Sequence, residues 1–211
     1  MKLIYFLLVT TLLGIYQALA QLAPTIKAKA EYGSEVKDVQ LLMELDHIDY
    51  YSTTFIHKNV KNAYALFTTK EYWYGVLVKK DTLLPSLNPK EYLKFNNTNS
   101  TSKISLVTKP AKDSISFHFN LLGITFSKKY KRMNNDEYSL RDGLVTNEEF
   151  KTIATNTTLP LFVYSLPYED PKQPNFKFYC ALTADGVPPD KWWDTYKIAH
   201  YIIVEMKIIS N

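Results

Sequence analysis

Large apolar residues alternate with polar ones along much of this chain, and this period of two is the feature that most restricts its fold. Successive side chains of a β-strand point to opposite faces, so an alternating segment is expected to have one buried and one exposed face. The pattern is clearest in SISFHFNLLG, residues 114–123. Its apolar positions are Ile115, Phe117, Phe119 and Leu121. The segment GITFSKKYKRM, residues 123–133, is predicted to be its continuation or its hairpin partner.

Other parts of the chain repeat this β-like pattern. EYWYGVLVKKD, residues 71–81, is read as one strand with Tyr72, Tyr74 and Val76 on the same face. Four further short runs share the high content of β-branched and aromatic residues, and they are residues 47–55, 102–109, 159–166 and 176–182. Turn signals such as NPK, RDG and EDPKQPN separate them. Seven or eight closely spaced strands predict an all-β barrel or sandwich.

Two segments break the period of two and predict helices. In GSEVKDVQLLMEL, residues 33–45, Ser34 is a plausible N-cap, and Val36, Val39 and Met43 fall on one helical stripe. A short helix is therefore expected before the first strand.

The second helix is predicted near the end of the chain. Pro188 and Pro189 are expected to stop the preceding strand and preset a helix start. The apolar stripe that follows has spacings of four, three and four and consists of Trp192, Tyr196, Ala199 and Ile203. This phase places Trp192 against the sheet and Trp193 at the edge of the contact. YIIVEMKII, residues 201–209, is left open between helix continuation and a last strand.

The first twenty residues have the pattern of a cleaved signal peptide. Lys2 precedes an apolar run over residues 3–15, and Ala18-Leu19-Ala20 forms a small-residue cleavage site. The remaining residues, 21–211, are expected to form a single secreted domain without a membrane span. N-glycosylation is predicted at the three sequons, whose acceptors are Asn96, Asn99 and Asn156.

A single cysteine permits no internal disulfide, so the apolar core must hold the fold. The sixteen Tyr and eleven Phe residues supply that core with flat rings. For Cys180 we favour a small buried apolar side chain over a disulfide to a second molecule, and we expect a monomer. The net charge of +4 is too weak to indicate a nucleic-acid partner, and export makes such a partner less plausible.

The order of these elements resembles the secreted lipocalins of blood-feeding arthropods, especially those of tick saliva. The matching features are the short helix, DHIDYYSTTF, the YGVLV strand, and a late Cys-containing strand followed by a proline turn and a helix. The resemblance implies an eight-stranded antiparallel barrel with a short N-terminal helix and a C-terminal helix packed on it. It also implies a small amphiphilic ligand, such as a biogenic amine or a lipid mediator.

This chain departs from that family in two ways. Those proteins carry two or more disulfides, and the Gly-x-Trp signature of the wider lipocalin family is absent near the first strand. On this resemblance, Cys180 is the remaining cysteine of a disulfide that this chain has lost. Packing around Trp192 or Trp193 fills the position of its former partner.

Catalytic motifs are missing. The chain contains no G-x-S-x-G, no H-E-x-x-H, no phosphate-binding glycine loop and no C-x-x-C. His47, His57 and His200 are read as surface or satisfied interior residues, whereas His118 lies mid-strand and could line a cavity. We therefore predict no enzymatic activity, no cofactor and no metal site.

A binding cavity needs aromatic walls and a few placed polar groups. The candidate wall residues are Tyr50, Tyr72, Tyr74, Phe117, Phe119, Tyr164 and Phe178. By analogy with amine-binding relatives, Glu44, Asp46 and Asp49 are the candidates for holding an ammonium group, the alternative being solvated charges at a helix-to-strand junction. The basic run SKKYKR, residues 127–132, is read as protection of a sheet edge in preference to a site for an anionic partner.

Two classes of function stay open. The first is a carrier or scavenger of a small ligand, and the second is a secreted effector or immune modulator that binds a host protein and has a filled interior. The residues alone do not separate these two, because the separation depends on whether the inward positions leave room for a ligand.

Overall fold

The structure is a computed structural model that describes residues 24–58, 60, 62–95, 100–147, 149–169, 176–179 and 186–210. The predicted signal peptide, Cys180 and the sequons at Asn96 and Asn99 lie outside these ranges. Asn156 is described, and it lies exposed in the turn between two strands with its side-chain amide against the backbone of Ser210.

Strands dominate the described residues. They are β1 (Thr25–Tyr32), β2 (Asp49–Ile56), β3 (Tyr64–Trp73), β4 (Val76–Thr82), β5 (Thr101–Pro110), β6 (Ser114–Leu121), β7 (Ile124–Lys131), β8 (Ser139–Asp142), β9 (Lys151–Ala154), β10 (Thr158–Ser165), β11 (Tyr168–Glu169), β12 (Lys177–Phe178) and β13 (His200–Ile209). The helices are short: α1 (Lys37–Leu45), α2 (Pro89–Tyr92) and α3 (Trp192–Tyr196), with a 3-10 turn at Pro189–Lys191 leading into α3.

The strands pair in three antiparallel sheets. One has six strands in the order β7-β6-β5-β2-β1-β9, and another has five in the order β4-β3-β13-β10-β8. The third is the small pair β11-β12.

The predicted eight-stranded lipocalin-like barrel is wrong, because none of these sheets closes on itself. A closed up-and-down barrel needs each strand to pair with the next along the chain. Here β2 pairs with β5 instead of β3, and β3 pairs with β4 and β13. The strands β7 and β9 are the edges of the larger sheet, and β4 and β8 those of the smaller one.

The two large sheets pack face to face around a shared core. The Tyr130 hydroxyl of β7 donates to Thr69 Oγ1 of β3 at 3.0 Å. The rings of Phe117 in β6 and Tyr164 in β10 meet edge to face, with centroids 5.6 Å apart. These contacts join opposite sheets, so the architecture is a β-sandwich. Apolar side chains fill the space between the sheets, and the largest fully buried ones there include Phe55, Phe67, Phe117 and Phe162, whereas Trp192 and Tyr201 are buried at the contact between α3 and β13.

The segment predicted as a single strand over residues 71–81 is a hairpin. Tyr74 and Gly75 hold φ values of 51° and 78° between β3 and β4. Two consecutive positive φ values are typical of the tight turn that matches strand twist, so the chain reverses there. A Cβ at Gly75 would lie 3.0 Å from Trp193 Cβ, a further reason for glycine at this position.

The segment over residues 123–133 is the hairpin partner of the clearest predicted strand. β7 pairs with β6 along its whole length, after a turn at Leu122 and Gly123 that also has two positive φ values. β7 is an edge strand, which confirms the edge position predicted for the basic run. Within the run, Tyr130 and Arg132 are buried, and Lys129 and Lys131 are exposed.

The helix predicted before the first strand is α1, although β1 precedes it and was missed. Its N-cap is Val36 and not Ser34, whose hydroxyl accepts a hydrogen bond from the Val36 N–H. None of the α1 residues is buried, so the predicted apolar stripe has no core beneath it.

Trp192 is confirmed as the inward tryptophan, with 1% of its surface exposed, and Trp193 is half-buried. The longer helical stripe is wrong, because α3 ends at Tyr196 and Lys197 takes a left-handed conformation with φ 59°. Ile203 and the rest of residues 201–209 belong to β13, the central strand of the five-stranded sheet. The C-terminal helix therefore packs on a sandwich face through Trp192, whose ring lies 4.9 Å from that of Tyr201.

Candidate functional site

A cleft of about 400 Å³ opens where the end of α1 meets both large sheets. Its lining comes from the last turn of α1, the start of β2, the β5–β6 turn and the β7–β8 loop. Three tyrosines contribute to its lining, namely Tyr32, Tyr138 and Tyr164. All three predicted acidic residues, Glu44, Asp46 and Asp49, also line it.

The C-terminus of α1 places the acidic residues at the cleft. The Ile48 N–H donates to Met43 O at 2.8 Å and the His47 N–H to Glu44 O at 3.2 Å. This pair of bonds is the Schellman pattern that ends helices with a left-handed residue. That residue is His47, with φ 54°, where glycine is usual. The chain therefore turns sharply from α1 into β2, and Asp49 follows at once.

Asp49 is the acidic residue most deeply set in the cleft. One carboxylate oxygen accepts the Tyr32 hydroxyl at 3.1 Å, and the other accepts the Leu140 N–H at 3.0 Å. Burial raises the pKa of Asp49 above its usual value, and this outweighs the two hydrogen bonds and the charge of Arg141, which lower it. Ionisation of this carboxylate costs free energy, so a positively charged ligand beside it is expected to stabilise the ionised form.

Tyrosine rings form the wall beside this carboxylate. Tyr138 and Tyr164 are both buried and stack with centroids 5.0 Å apart and planes 6° from parallel. Burial raises the pKa of Tyr32 to about 12, and the neighbouring Asp49 adds to the effect. All three phenols are therefore neutral at physiological pH and present hydroxyl groups and ring surfaces.

Two cationic side chains, Lys112 and Arg132, line the cleft, and Arg132 is committed to protein partners. Arg132 is buried and donates to the backbone oxygens of Met133 and Asn135, and it pairs with Asp136 at 3.1 Å. Asp46 pairs with Lys109 at 2.8 Å, and this hydrogen bond lowers the pKa of Asp46. Asp49 instead bonds to neutral donors.

A buried histidine, His200, holds the Tyr138 hydroxyl in place. The Tyr138 hydroxyl accepts the Met133 N–H at 3.3 Å and is hydrogen-bonded to His200 Nδ1 at 2.6 Å. The other ring nitrogen of His200 lies 3.6 Å from a carboxylate oxygen of Glu71, an ion-pair distance longer than a hydrogen bond. Burial raises the pKa of Glu71, but the nearby His200 and the hydrogen bond from Trp73 Nε1 at 2.8 Å outweigh it, so the pKa lies below its usual value. This chain of contacts fixes the phenol at the cleft wall.

Most of the predicted aromatic wall residues lie elsewhere. Phe117 and Phe119 are buried in the sandwich core, and Tyr72 stacks on Tyr201. Tyr74 is at the β3–β4 turn against Trp193, and Phe178 contacts Tyr168. Tyr50 lines a separate surface groove beside the β1–α1 connection. Of the predicted aromatic residues, Tyr164 is the one that reaches the cleft.

The histidine predicted to line a cavity does not do so. His118 is exposed on the outer face of β6, where its Nδ1 is 2.6 Å from Ser127 Oγ. His57 is buried and contacts Ser102 Oγ at 3.0 Å. Across the described ranges, no cluster of three His, Cys, Asp or Glu side chains could bind a metal ion.

Sequence reasoning missed Tyr138, Arg132 and the His200–Glu71 pair. The segment MNND, residues 133–136, was read as a turn, Tyr138 was given no role, and His200 was taken as an ordinary histidine. The contacts that give these residues a role join positions far apart in the chain, such as the 62 positions between Tyr138 and His200. No local pattern carries that information.

Comparison with known proteins found no matching family model, no matching curated protein and no matching solved structure. No relative therefore bears on the resemblance to arthropod lipocalins, and the closed barrel that it implies is absent. In the part of the chain that the structure describes, no helix combines the length and apolarity needed to cross a bilayer.

Proposed function

We propose that this protein is a secreted carrier or scavenger of a small organic cation, such as a biogenic amine, and that the cleft is its binding site. The observation that carries the proposal is the half-buried carboxylate of Asp49 beside three tyrosines. Cations are attracted both to carboxylates and to the faces of aromatic rings, and more strongly where water is excluded.

The size and the lining of the cleft favour an amine over a lipid mediator. A volume of about 400 Å³ suits a small ligand. Charged and hydroxyl groups surround it, and a lipid chain would gain little by leaving water for such a surface. The proposed ligand is thus an aromatic or alkyl amine whose ammonium group faces Asp49.

Titration calorimetry with tyramine and with 4-ethylphenol tests the proposal, because these molecules differ chiefly in the ammonium group. Tyramine is expected to bind the wild-type protein at least tenfold more tightly than 4-ethylphenol. Asp49→Asn keeps an acceptor for Tyr32 or Leu140 and is expected to lower tyramine affinity at least tenfold, which is about 1.4 kcal/mol.

Asp38→Asn is the matched control. Asp38 is an exposed residue in the first turn of α1, so the substitution makes the same charge change away from the cleft lining. Equal binding of tyramine and 4-ethylphenol, or equal losses in the two variants, would refute the amine site. Native mass spectrometry of the protein from its source identifies any ligand that co-purifies.

The exposed apolar face of α1 favours a second candidate function, the binding of a host protein. Val36, Val39, Leu41, Leu42 and Leu45 are each between 44% and 69% exposed. Acidic side chains flank them, so the expected partner has an apolar groove with a basic rim. In a screen against extracellular proteins, true partners should be lost in a Leu42→Lys, Leu45→Lys variant and kept in Asp49→Asn. Retention of every hit by the first variant would exclude α1 as the binding surface.

A further inference from the structure

A second, smaller pocket lies on the other side of Tyr32 from the cleft. Its volume is about 190 Å³. Strands β1 and β2 contribute Ala30, Tyr32 and Tyr51, and the end of β8 with the loop after it contributes the rest. These remaining residues are Arg141, Asp142, Val145, Thr146 and Asn147.

Arg141 is half-buried, and its charge lowers the pKa of Asp49 without an ion pair between the two side chains. Its Nε is buried and has no hydrogen-bond acceptor, and across the described ranges Arg141 forms no ion pair. Its guanidinium lies 4.6 Å from the centre of the Tyr179 ring. Arg132, by contrast, has two carbonyl acceptors and a carboxylate. A buried donor left unsatisfied costs free energy, so its persistence calls for an explanation such as a bound ligand.

The neighbouring carboxylate of Asp142 is used to shape the loop and not to neutralise Arg141. It accepts the backbone N–H groups of Leu144 and Thr146 at 2.8 and 2.6 Å, and the Thr146 hydroxyl at 2.8 Å. Between those anchors Val145 holds φ 54°, a conformation that β-branched residues rarely adopt. Strain of this kind clusters at ligand-binding loops.

We propose that this pocket binds a small carboxylate that carries a flat apolar group. The carboxylate of the ligand would accept two parallel hydrogen bonds from the Arg141 guanidinium, because the two groups match in a bidentate pair. The flat group would lie against Tyr51 and Val145, where the tilted rings of Tyr32 and Tyr51, 5.0 Å apart, form one wall. The volume is below the 300 Å³ or more typical of drug-sized ligands, so the ligand is of the size of benzoate.

The ligand class goes beyond the cation proposed for the cleft, and it is tested with a different probe. Benzoate, acetate and inorganic phosphate are titrated into the full-length protein by calorimetry. Benzoate is expected to bind with one-to-one stoichiometry and at least tenfold more tightly than acetate or phosphate, because only benzoate supplies both the anion and the ring.

The variants identify the residue responsible. Arg141→Gln is expected to weaken benzoate binding at least tenfold, and Arg141→Lys to weaken it less, because lysine keeps the charge but loses the paired donors. Lys131→Gln, an exposed charge change on β7, is expected to leave binding unchanged. Melting curves establish that each variant is folded.

Three outcomes would overturn the proposal. They are the absence of saturable benzoate binding to the wild-type protein, equal affinity in the wild type and Arg141→Gln, and an equal loss in Lys131→Gln. Acetate or phosphate binding as tightly as benzoate would overturn the apolar part of the ligand assignment.

Discussion

Replacing Trp192 by alanine should be among the most damaging single substitutions in this protein. The side chain is 1% exposed, its indole Nε1–H donates to Val187 O at 2.9 Å, and its ring packs 4.9 Å from that of Tyr201. The substitution therefore leaves a large cavity between α3 and β13 and an unsatisfied carbonyl at Val187.

The expected cost follows from these contacts. Truncation of a fully buried large aromatic costs about 3–5 kcal/mol. Domains of this size are stable by about 5–15 kcal/mol, and the single cysteine rules out an internal disulfide to compensate. A loss of this size should lower the melting temperature by about 6–20 °C.

Trp193 provides the comparison within the same helix. It is half-buried, its ring meets Tyr74 edge to face at 5.2 Å, and Lys197 lies 5.5 Å from its centre. Trp193→Ala loses one aromatic pair and one cation–π contact and should cost about 1–2 kcal/mol. Trp192→Phe loses the indole hydrogen bond and leaves a smaller cavity than alanine does, so it should cost about 2 kcal/mol.

Urea unfolding followed by circular dichroism measures the unfolding free energy of all three variants. The slope of that free energy against urea concentration should be the same in each variant. The reasoning requires Trp192→Ala to lose clearly more stability than either other variant. If Trp193→Ala costs as much or more, the packing of α3 described here is wrong. If neither alanine variant changes stability, α3 is not docked on the sheet in solution.

Four further outcomes are expected. Burial raises the pKa of Asp49, so tyramine affinity should fall as pH is lowered through that pKa, and calorimetry of Asp49→Asn should show a flatter pH profile. His47→Gly should raise the unfolding free energy by about 0.5–1 kcal/mol by relieving its φ of 54°, whereas His47→Ala should not. Tyr130→Phe should cost about 1–2 kcal/mol in thermal melts, and adding Thr69→Val should recover part of it; a purely additive double variant would contradict a shared hydrogen bond. For Cys180, non-reducing electrophoresis should show a monomer, and a dimer band lost on reduction would contradict a buried thiol.

The period of two predicted individual strands well because it reflects only which face is buried. Ile115, Phe117 and Phe119 alternate in sequence and are buried in β6. The same alternation does not say which strands pair. The pairing of Asp49 in β2 with Thr108 in β5 requires the chain to pass over two intervening strands, and no local pattern records this. The barrel prediction came from a resemblance in the order of elements, and the order of elements does not determine which strands pair.

Strand β1 was missed and β13 was left open between helix and strand, for opposite physical reasons. In β1 the buried positions include Ala28 and Ala30, which are too small to stand out as an apolar stripe. In β13 the residues from His200 to Val204 are all buried, so apolar side chains follow one another without a period. A central strand covered on both faces cannot be distinguished from a buried helix by periodicity.

The candidate site was predictable only in part. The acidic cluster of Glu44, Asp46 and Asp49 lies at the end of the predicted helix and just after it, and it does line the cleft. The sequence could not show that Asp49 alone would be set against a sheet edge, because its partner Leu140 is 91 positions away.

The place of β13 in the five-stranded sheet has a consequence for biosynthesis. This strand is made last of the thirteen, yet it separates β3 from β10, and its Glu205 forms an ion pair with Lys70 that lies 135 positions earlier. At about 5–20 residues per second, β3 must wait roughly 7–30 s for this partner after it leaves the ribosome. During that interval the edge of β3 that later pairs with β13 has no partner strand, because β4 occupies only the other edge. A nascent chain of this protein should therefore bind chaperones until β13 has left the ribosome, and ribosome-bound chains truncated before β13 should remain sensitive to protease.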